Sequence, residues 1–295
     1  MVNKKIIILL ILLFTLPGCS GSNSNSPSSN SSESQIYIEN KGSDTIVNLA
    51  LAWAEEYQNI HPNISLSVTG GGSGTGIAAL INNTVDIANA SRSIKDKEIE
   101  NANENNVEPL EFVIARDAIA VIINPENPVE KLSLQQISDI YSGKFTNWSE
   151  VGGEDRPIVR LSRETNSGTH VYFLEQVLRL GDKENPTFFS PLTLLLPSSE
   201  GIISEVSQNP NAIGYDGLGY ITDEVKVVGV SQVGSTEYIY PSVATVNSGE
   251  YPIARDLYMY TNGQPVGEIE EYLNWIFSEA AQEIVAELGF VPIIK

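Results

Sequence analysis

The chain has 295 residues, 41% of them hydrophobic, and carries 17 basic against 37 acidic side chains. That length predicts about two domain-sized units, and the apolar fraction excludes a wholly disordered chain. A net charge of −20 argues against nucleic acid as a partner, and one Cys excludes both an internal disulfide and a Cys-based zinc site. His61 and His170 leave little for a His-rich metal site, so only an all-carboxylate site survives counting.

Lys4 and Lys5 precede an apolar run from Ile6 to Leu16. The run is too short to cross a hydrocarbon core of about 30 Å as a helix, but it suits the middle region of a signal peptide. It ends at Leu16-Pro17-Gly18-Cys19, with the chain's one cysteine last. This ending resembles the lipobox of bacterial lipoproteins, with Pro17 where a small residue is usual. The resemblance implies cleavage after residue 18 and lipidation of Cys19. Ser20 to Gln35 holds nine Ser and three Asn in sixteen residues and cannot bury enough apolar surface to fold. As a flexible coil it would reach about 20–24 Å. Residues 1–18 therefore read as a signal peptide and 19–35 as a lipidated Cys with its tether. The expected location is the outer face of the cell membrane or the periplasm. Lipid is the membrane contact expected there, because an anionic surface repels so acidic a chain.

Ile36 to Ile38 is strand-like. Ile46, Leu49, Ala50, Trp53, Ala54 and Tyr57 then fall on one helix face, and Pro62 closes the unit. Ile64 to Val68 alternates as a strand. Gly70 to Gly76 reads as a turn, Ile77 to Ile81 as a helix and Val85 to Ala90 as a buried strand. The order β-α-β-α-β predicts a largely parallel sheet covered by helices. Phe112 to Asn124 is a long extended run, broken at Arg116-Asp117 and ended by Pro125 and Pro128. Ser133 and Gln136 are spaced for a capping box ahead of a helix carrying Leu134, Ile137 and Tyr141. Lys144 to Asp155 is loop-like. Ile158 to Leu161 is a strand, a helix follows Gly168, and further strands are expected at 212–215 and 225–230. Ile114-Ala115-Arg116-Asp117 recurs as Ile253-Ala254-Arg255-Asp256. Two such strands side by side would suit a double crossing between lobes. Helices over 266–277 and 279–288 end the chain, with Gly289 as a stop signal.

Three strand-to-helix turns carry the chemistry: Gly42-Ser43-Asp44-Thr45, Gly72-Ser73-Gly74-Thr75-Gly76 and Arg163-Glu164-Thr165-Asn166-Ser167-Gly168-Thr169. Each puts Gly and small hydroxyl residues where a helix begins. Helix N-termini hold unpaired N–H groups and about half a positive charge, so three aimed at one spot bind an anion without net positive charge. Arg163 adds a planar fork for phosphate-like oxygens. Enzyme motifs fit poorly. Gly76 is followed by Ile77 where a P-loop needs Lys, and Ser73 lacks the Gly two residues on that a nucleophile elbow requires. Gly74-x-Gly76-x-x-Ala79 matches only a relaxed dinucleotide pattern. Ser167 lies near His170 but no acid joins them, and a solvent-facing His170 is expected. His61 reads as a loop residue. No catalytic residue, metal site or cofactor is expected.

These turns, in this order, resemble the substrate-binding proteins of high-affinity phosphate ABC transporters, the PstS type. Matching segments are 42–53, 69–80, 86–92, 115–128, 132–153, 163–173 and 212–220, most of the chain after residue 35. The resemblance implies an α/β, two-lobed type II periplasmic-binding-protein fold with two crossing strands. It places residues 36–117 plus 254–295 in lobe 1 and 118–253 in lobe 2. It implies no enzyme activity. The function implied is a monomeric extracytoplasmic receptor that binds inorganic phosphate and delivers it to ABC permease subunits. Arg163, Ser167, Gly168 and Thr169 match lobe-2 ligands, and Ser73, with Gly74, a lobe-1 hydroxyl turn. Ser43, Asp44 and Thr45 fall at the first donor turn. Arg92, after Ser91, stands where well-known members carry an Asp that accepts the phosphate proton. The departure suggests exchanged roles, Asp44 accepting that proton and Arg92 donating. Receptors for sulfate, molybdate or tungstate, an extracellular phosphatase, and an adhesive or signalling lipoprotein that keeps the fold remain as alternatives.

Overall fold

The structure is a computed structural model and describes residues 35–293. The signal peptide, Cys19 and all of the tether except Gln35 lie outside the described residues. In chain order, strand β1 (Ile36–Gly42) leads to helix α1 (Asp44–Ile60), β2 (Ile64–Thr69), α2 (Ser73–Ile81), β3 (Ile87–Ala90) and α3 (Asp96–Glu104). The long β4 (Pro109–Ile123) is followed by β5 (Lys131–Ser133), α4 (Leu134–Ser142), β6 (Val159–Arg163) and α5 (Gly168–Phe173). Next come β7 (Leu194–Leu196), α6 (Ser199–Gln208), β8 (Ala212–Gly217), β9 (Lys226–Val227) and β10 (Gly229–Ser231). A short α7 (Val243–Asn247), β11 (Ala254–Asn262), α8 (Glu268–Ile276) and α9 (Glu279–Glu287) complete the chain.

One sheet runs in the order β2-β1-β3-β11-β4-β8-β6-β7. β1 pairs in parallel with β2 and β3, as the β-α-β-α-β order predicts. β4 joins the two halves: Pro109 to Ala118 pair with β11, and Ile119 to Ile123 with β8. Every residue from Ala118 to Ile123 is buried, which fits a Val/Ile-rich central strand covered on both faces. Each half thus has its own sheet portion and helices, and β4 and β11 cross between them. The expected face of α1 is buried throughout, with Trp53 donating its indole N–H to the Ala281 carbonyl of α9. In the second half, Ile137 and Tyr141 of α4 pack with Phe173, Val177 and Tyr215.

The Ser133–Gln136 capping box starts α4 as expected. Two expectations need correction, and one helix goes unread. α2 begins at Ser73, four residues before Ile77, so part of the Gly-rich segment is helix rather than turn. α3 goes unread in the sequence because it is polar all round, with Ala102 its one buried residue. The strand expected over 225–230 is two short strands, interrupted where the Val228 N–H donates to the Val121 carbonyl.

Candidate functional site

The N-termini of α1, α2 and α5 meet between the two halves of the sheet. Ser43 occupies the N-cap position of α1, yet its hydroxyl makes no capping bond and donates to Ser91 Oγ at 3.0 Å. Ser91 Oγ lies 3.3 Å from Ser73 Oγ, and Ser73 Oγ accepts the Ser91 N–H at 3.0 Å. From the other half, Thr169 Oγ1 reaches Thr45 Oγ1 at 2.7 Å. Ser167 caps α5 by accepting the Thr169 N–H. Gly168 backs directly onto the serine hydroxyls: a Cβ there would sit 2.3 Å from Ser73 Oγ and 2.5 Å from Ser91 Oγ. Gly74 donates its N–H across the interface to the Asn166 carbonyl at 3.0 Å. Asn166 Nδ2 in turn donates to the Gly71 carbonyl at 2.9 Å. Gly72 has φ +91°, and a Cβ on it would meet the Asn166 carbonyl at 2.9 Å, so a side chain is excluded twice over.

Three arginines surround this hydroxyl cluster, each held by a carboxylate. Arg163, with a side chain 1% exposed, donates through Nη2 to Asp44 Oδ2 and through Nη1 to Ser199 Oγ, both at 2.8 Å. Asp216, fully buried, lies 3.7 Å behind it. Asp44 Oδ1 accepts the Gly71 N–H at 2.8 Å, so each of its oxygens already has a donor. Arg92 is bound at two points to Glu98, at 2.8 and 2.6 Å, and donates to the Ser93 carbonyl. Arg255 pairs with Asp117 at 2.9 Å. A buried guanidinium without such a partner would carry a large desolvation cost, and the partner also fixes its fork.

Burial pushes the Asp117 and Asp216 carboxyls above the ordinary range, and Arg255 and Arg163 respectively pull them back toward ionisation. For Glu98 the balance reverses. Burial raises it, but the Arg92 hydrogen bond, the Lys95 N–H and the nearby positive charges together hold it below the usual carboxylate range. His170 is a correction to the expected solvent-facing side chain. It is buried, stacks on Phe189 with centroids 4.5 Å apart, and bonds through Nδ1 to Ser162 Oγ at 2.9 Å, not to Ser167. Burial holds its imidazole below the ordinary value.

Ser43, Thr45, Ser73, Gly74, Ser91, Ser167, Gly168 and Thr169 thus come together, with Arg163 and Asp44 joined beside them. Arg92 stands next to Gly74; Glu98 takes one N–H from each of its terminal nitrogens, and its Nε has no partner among the described residues. Asn166, named in the third turn, and Ser199 and Asp216 are not among the expected ligands, and Arg255 and Asp117 are expected only in the crossing strands. The repeated Ile-Ala-Arg-Asp segment is the signal in the sequence for the last two. Among the described residues, no group of three or more His, Cys, Asp or Glu is placed to hold a metal ion.

An α/β chain whose halves join through two crossing strands and face each other over three helix N-termini has the architecture of a two-lobed binding protein. A model of the PBP superfamily domain matches residues 27–280, and the chain belongs to that family, alongside the phosphate-binding proteins called PstS. It is 31% identical to phosphate-binding protein PstS of Pseudomonas aeruginosa over 87% of this chain and 83% of the relative. It is also 31% identical to that of Bacillus subtilis, over 85% and 79%. Among solved structures, a Clostridium perfringens protein described as a phosphate ABC transporter substrate-binding protein, with phosphate bound, is 32% identical. It superposes with a TM-score of 0.77, covering 87% of this chain and 99% of that one. An ABC-type phosphate transport receptor of Vibrio cholerae is 26% identical, with a TM-score of 0.69 over 87% and 99%.

Proposed function

We propose that the chain is an extracytoplasmic receptor that binds inorganic phosphate between its lobes and delivers it to an ABC permease. The observation that carries the reading is the convergence of donors from both lobes on one place. The hydroxyls of Ser43, Ser73, Ser91, Thr45 and Thr169, three helix N-termini and the Arg163 fork meet there, in a family whose relatives carry phosphate in their names. Such an array suits a tetrahedral oxyanion, because its donors are aimed and its charge is local. The proposed ligand residues are Ser43, Asp44, Thr45, Ser73, Gly74, Ser91, Arg163, Ser167, Gly168 and Thr169, with Arg92 adding positive charge from its place against Glu98. The lobe boundary is taken between Asp117 and Ala118 and between Ile253 and Ala254, at the last β4–β11 pair, Ala118 with Ala254.

Asp44 is the proposed acceptor for the proton that phosphate retains. A carboxylate offers about four lone-pair sites, and Gly71 and Arg163 use two. Fully ionised sulfate offers no hydrogen there, so it leaves an acceptor unpaired against like charge. The test is calorimetric titration of residues 36–295, stripped of ligand by unfolding and refolding, with phosphate and then sulfate. One tight phosphate site without sulfate heat is expected, and Asp44→Asn should narrow the phosphate-to-sulfate ratio. Sulfate or molybdate binding in place of phosphate would move the substrate within the fold. No heat from refolded protein would end the receptor reading. Anchoring through lipid on Cys19 and a monomeric state complete the proposal. Mass spectrometry of the mature chain should find a lipid-modified Cys19 as its first residue, and an unmodified Cys19 would refute the anchor.

A further inference from the structure

The crossing strand β11 carries a buried cation that the ligand set above omits. Arg255 has a side chain 2% exposed. Its Nη1 donates to the Ser91 carbonyl at 2.9 Å, and its Nη2 donates to Asp117 Oδ2 at 2.9 Å. The same Nη2 lies 3.0 Å from Thr169 Oγ1 and 3.4 Å from Thr45 Oγ1. Asp117 belongs to the other crossing strand and accepts the N–H of Leu218, just past β8 in lobe 2, at 3.2 Å. One guanidinium therefore touches both crossing strands and one hydroxyl from each lobe.

Arginine has donors and no acceptor, and it stays charged. A hydroxyl oxygen that accepts from it must turn its own hydrogen elsewhere. Thr45 and Thr169 are 2.7 Å apart, so one hydrogen can lie between them while the other points away from the guanidinium. An acceptor-only oxyanion oxygen suits the one outward hydrogen of this linked pair. We propose that Arg255 is a positioning residue of the ligand site, holding the linked Thr45 and Thr169 hydroxyls so that their outward hydrogen donates toward a bound oxyanion when the lobes close. Thr169 comes from lobe 2 and Thr45 from lobe 1, so the contact forms only with the lobes together. Lysine would keep the charge but lose the fork that serves Ser91, Asp117 and the hydroxyls at once.

The inference rests on the phosphate-receptor reading. Its test titrates inorganic phosphate into the wild type, Arg255→Lys, Thr169→Val and the double variant, with ligand-free urea unfolding in parallel. Arg255→Lys is expected to weaken phosphate binding about 10- to 100-fold, the range for losing a charge-assisted hydrogen bond. The double variant should bind no more than about threefold worse than the weaker single variant, because Arg255 acts through the hydroxyl. Wild-type affinity in Arg255→Lys, or fully additive losses, would overturn the proposal. Where the variant does not fold, side-chain nitrogen NMR of the wild type decides, with Arg255 assigned through its own side-chain carbons. Its guanidinium signals should shift on saturation with phosphate, and unmoved signals would overturn the proposal. A wild type silent toward phosphate would fail at the receptor reading itself, which the other outcomes leave standing.

Discussion

Gly168 shows how closely the lobes meet. Its Cα faces Ser73 and Ser91 so tightly that any Cβ would stand well inside contact distance of both hydroxyl oxygens. Those serines stand beside β3 and Gly168 follows β6, on opposite sides of β11 and β4 in the sheet, so the clash exists only when the two halves are together. Gly168→Ala should therefore act on closure and leave the fold of each lobe intact. Alanine also restricts the unfolded chain, so ligand-free stability is expected to hold or rise by up to about 1 kcal/mol. Overpacking of a closed interface costs about 1–3 kcal/mol, which corresponds to phosphate binding about 5- to 150-fold weaker. Urea unfolding and calorimetry on one preparation separate the two effects. Unchanged affinity would mean that the ligand-bound lobes stand further apart than they do here. At this scale the ligand hydroxyls are legible in the sequence, because Gly and Ser at a helix start form a local pattern. The groups holding the arginines are not. Asp44 lies 119 residues from Arg163, and Asp117 lies 138 from Arg255. His170 is misread for the same reason, since Phe189 and Ser162, which bury it, are set by the folded lobe.

The two crossing strands turn one repeated tetrapeptide into two different ion pairs. In the antiparallel register Arg255 stands opposite Asp117, and Asp256 opposite Arg116. Neighbouring residues on a strand point to opposite faces, so one pair faces the buried cleft and the other faces solvent. The Arg255–Asp117 side chains are 2% and 0% exposed, and those of Arg116–Asp256 are 47% and 41%. Removing one partner of a buried pair leaves an uncompensated charge, so Asp117→Asn should lower stability by about 3–5 kcal/mol. Arg116→Gln should lower it by about 0–1 kcal/mol, because water replaces the exposed partner. Equal costs in urea unfolding would refute the assignment of faces. The repeat is visible in the sequence, but the register that sorts its members is a tertiary fact. Elements with a clear apolar period, such as α1 and α4, are legible with their buried faces. α3 offers no apolar stripe, and α2 starts inside a glycine run that propensity alone assigns to turn. Packing accounts for the glycine at 76, since a Cβ there would come within 2.5 Å of the Lys41 carbonyl on β1.

For the whole molecule, an anion receptor with a net charge of −20 must admit a ligand that its own exterior repels. A groove of about 510 Å³ opens between the lobes beside Arg255. Its lining includes five cations, Arg92, Lys95, Arg179, Lys183 and Arg255, against four carboxylates, Asp96, Glu175, Asp182 and Asp256. The groove is thus close to neutral, on a surface that elsewhere carries a large excess of acid. Which field an approaching phosphate feels depends on screening. At about 0.01 M salt the Debye length is about 30 Å, comparable with the molecule, and the summed negative charge acts on the ligand. At about 0.15 M it falls to about 8 Å, and the local groove and the aimed donors beneath it dominate. Stopped-flow association rates for phosphate should therefore rise with salt across this range, opposite to the usual steering of a charged ligand by a complementary protein. Equilibrium affinity should follow less steeply, because the donors in the closed cleft lie out of reach of mobile ions. A rate that falls with salt would mean that the local cations of the groove already outweigh the whole-molecule charge at long range.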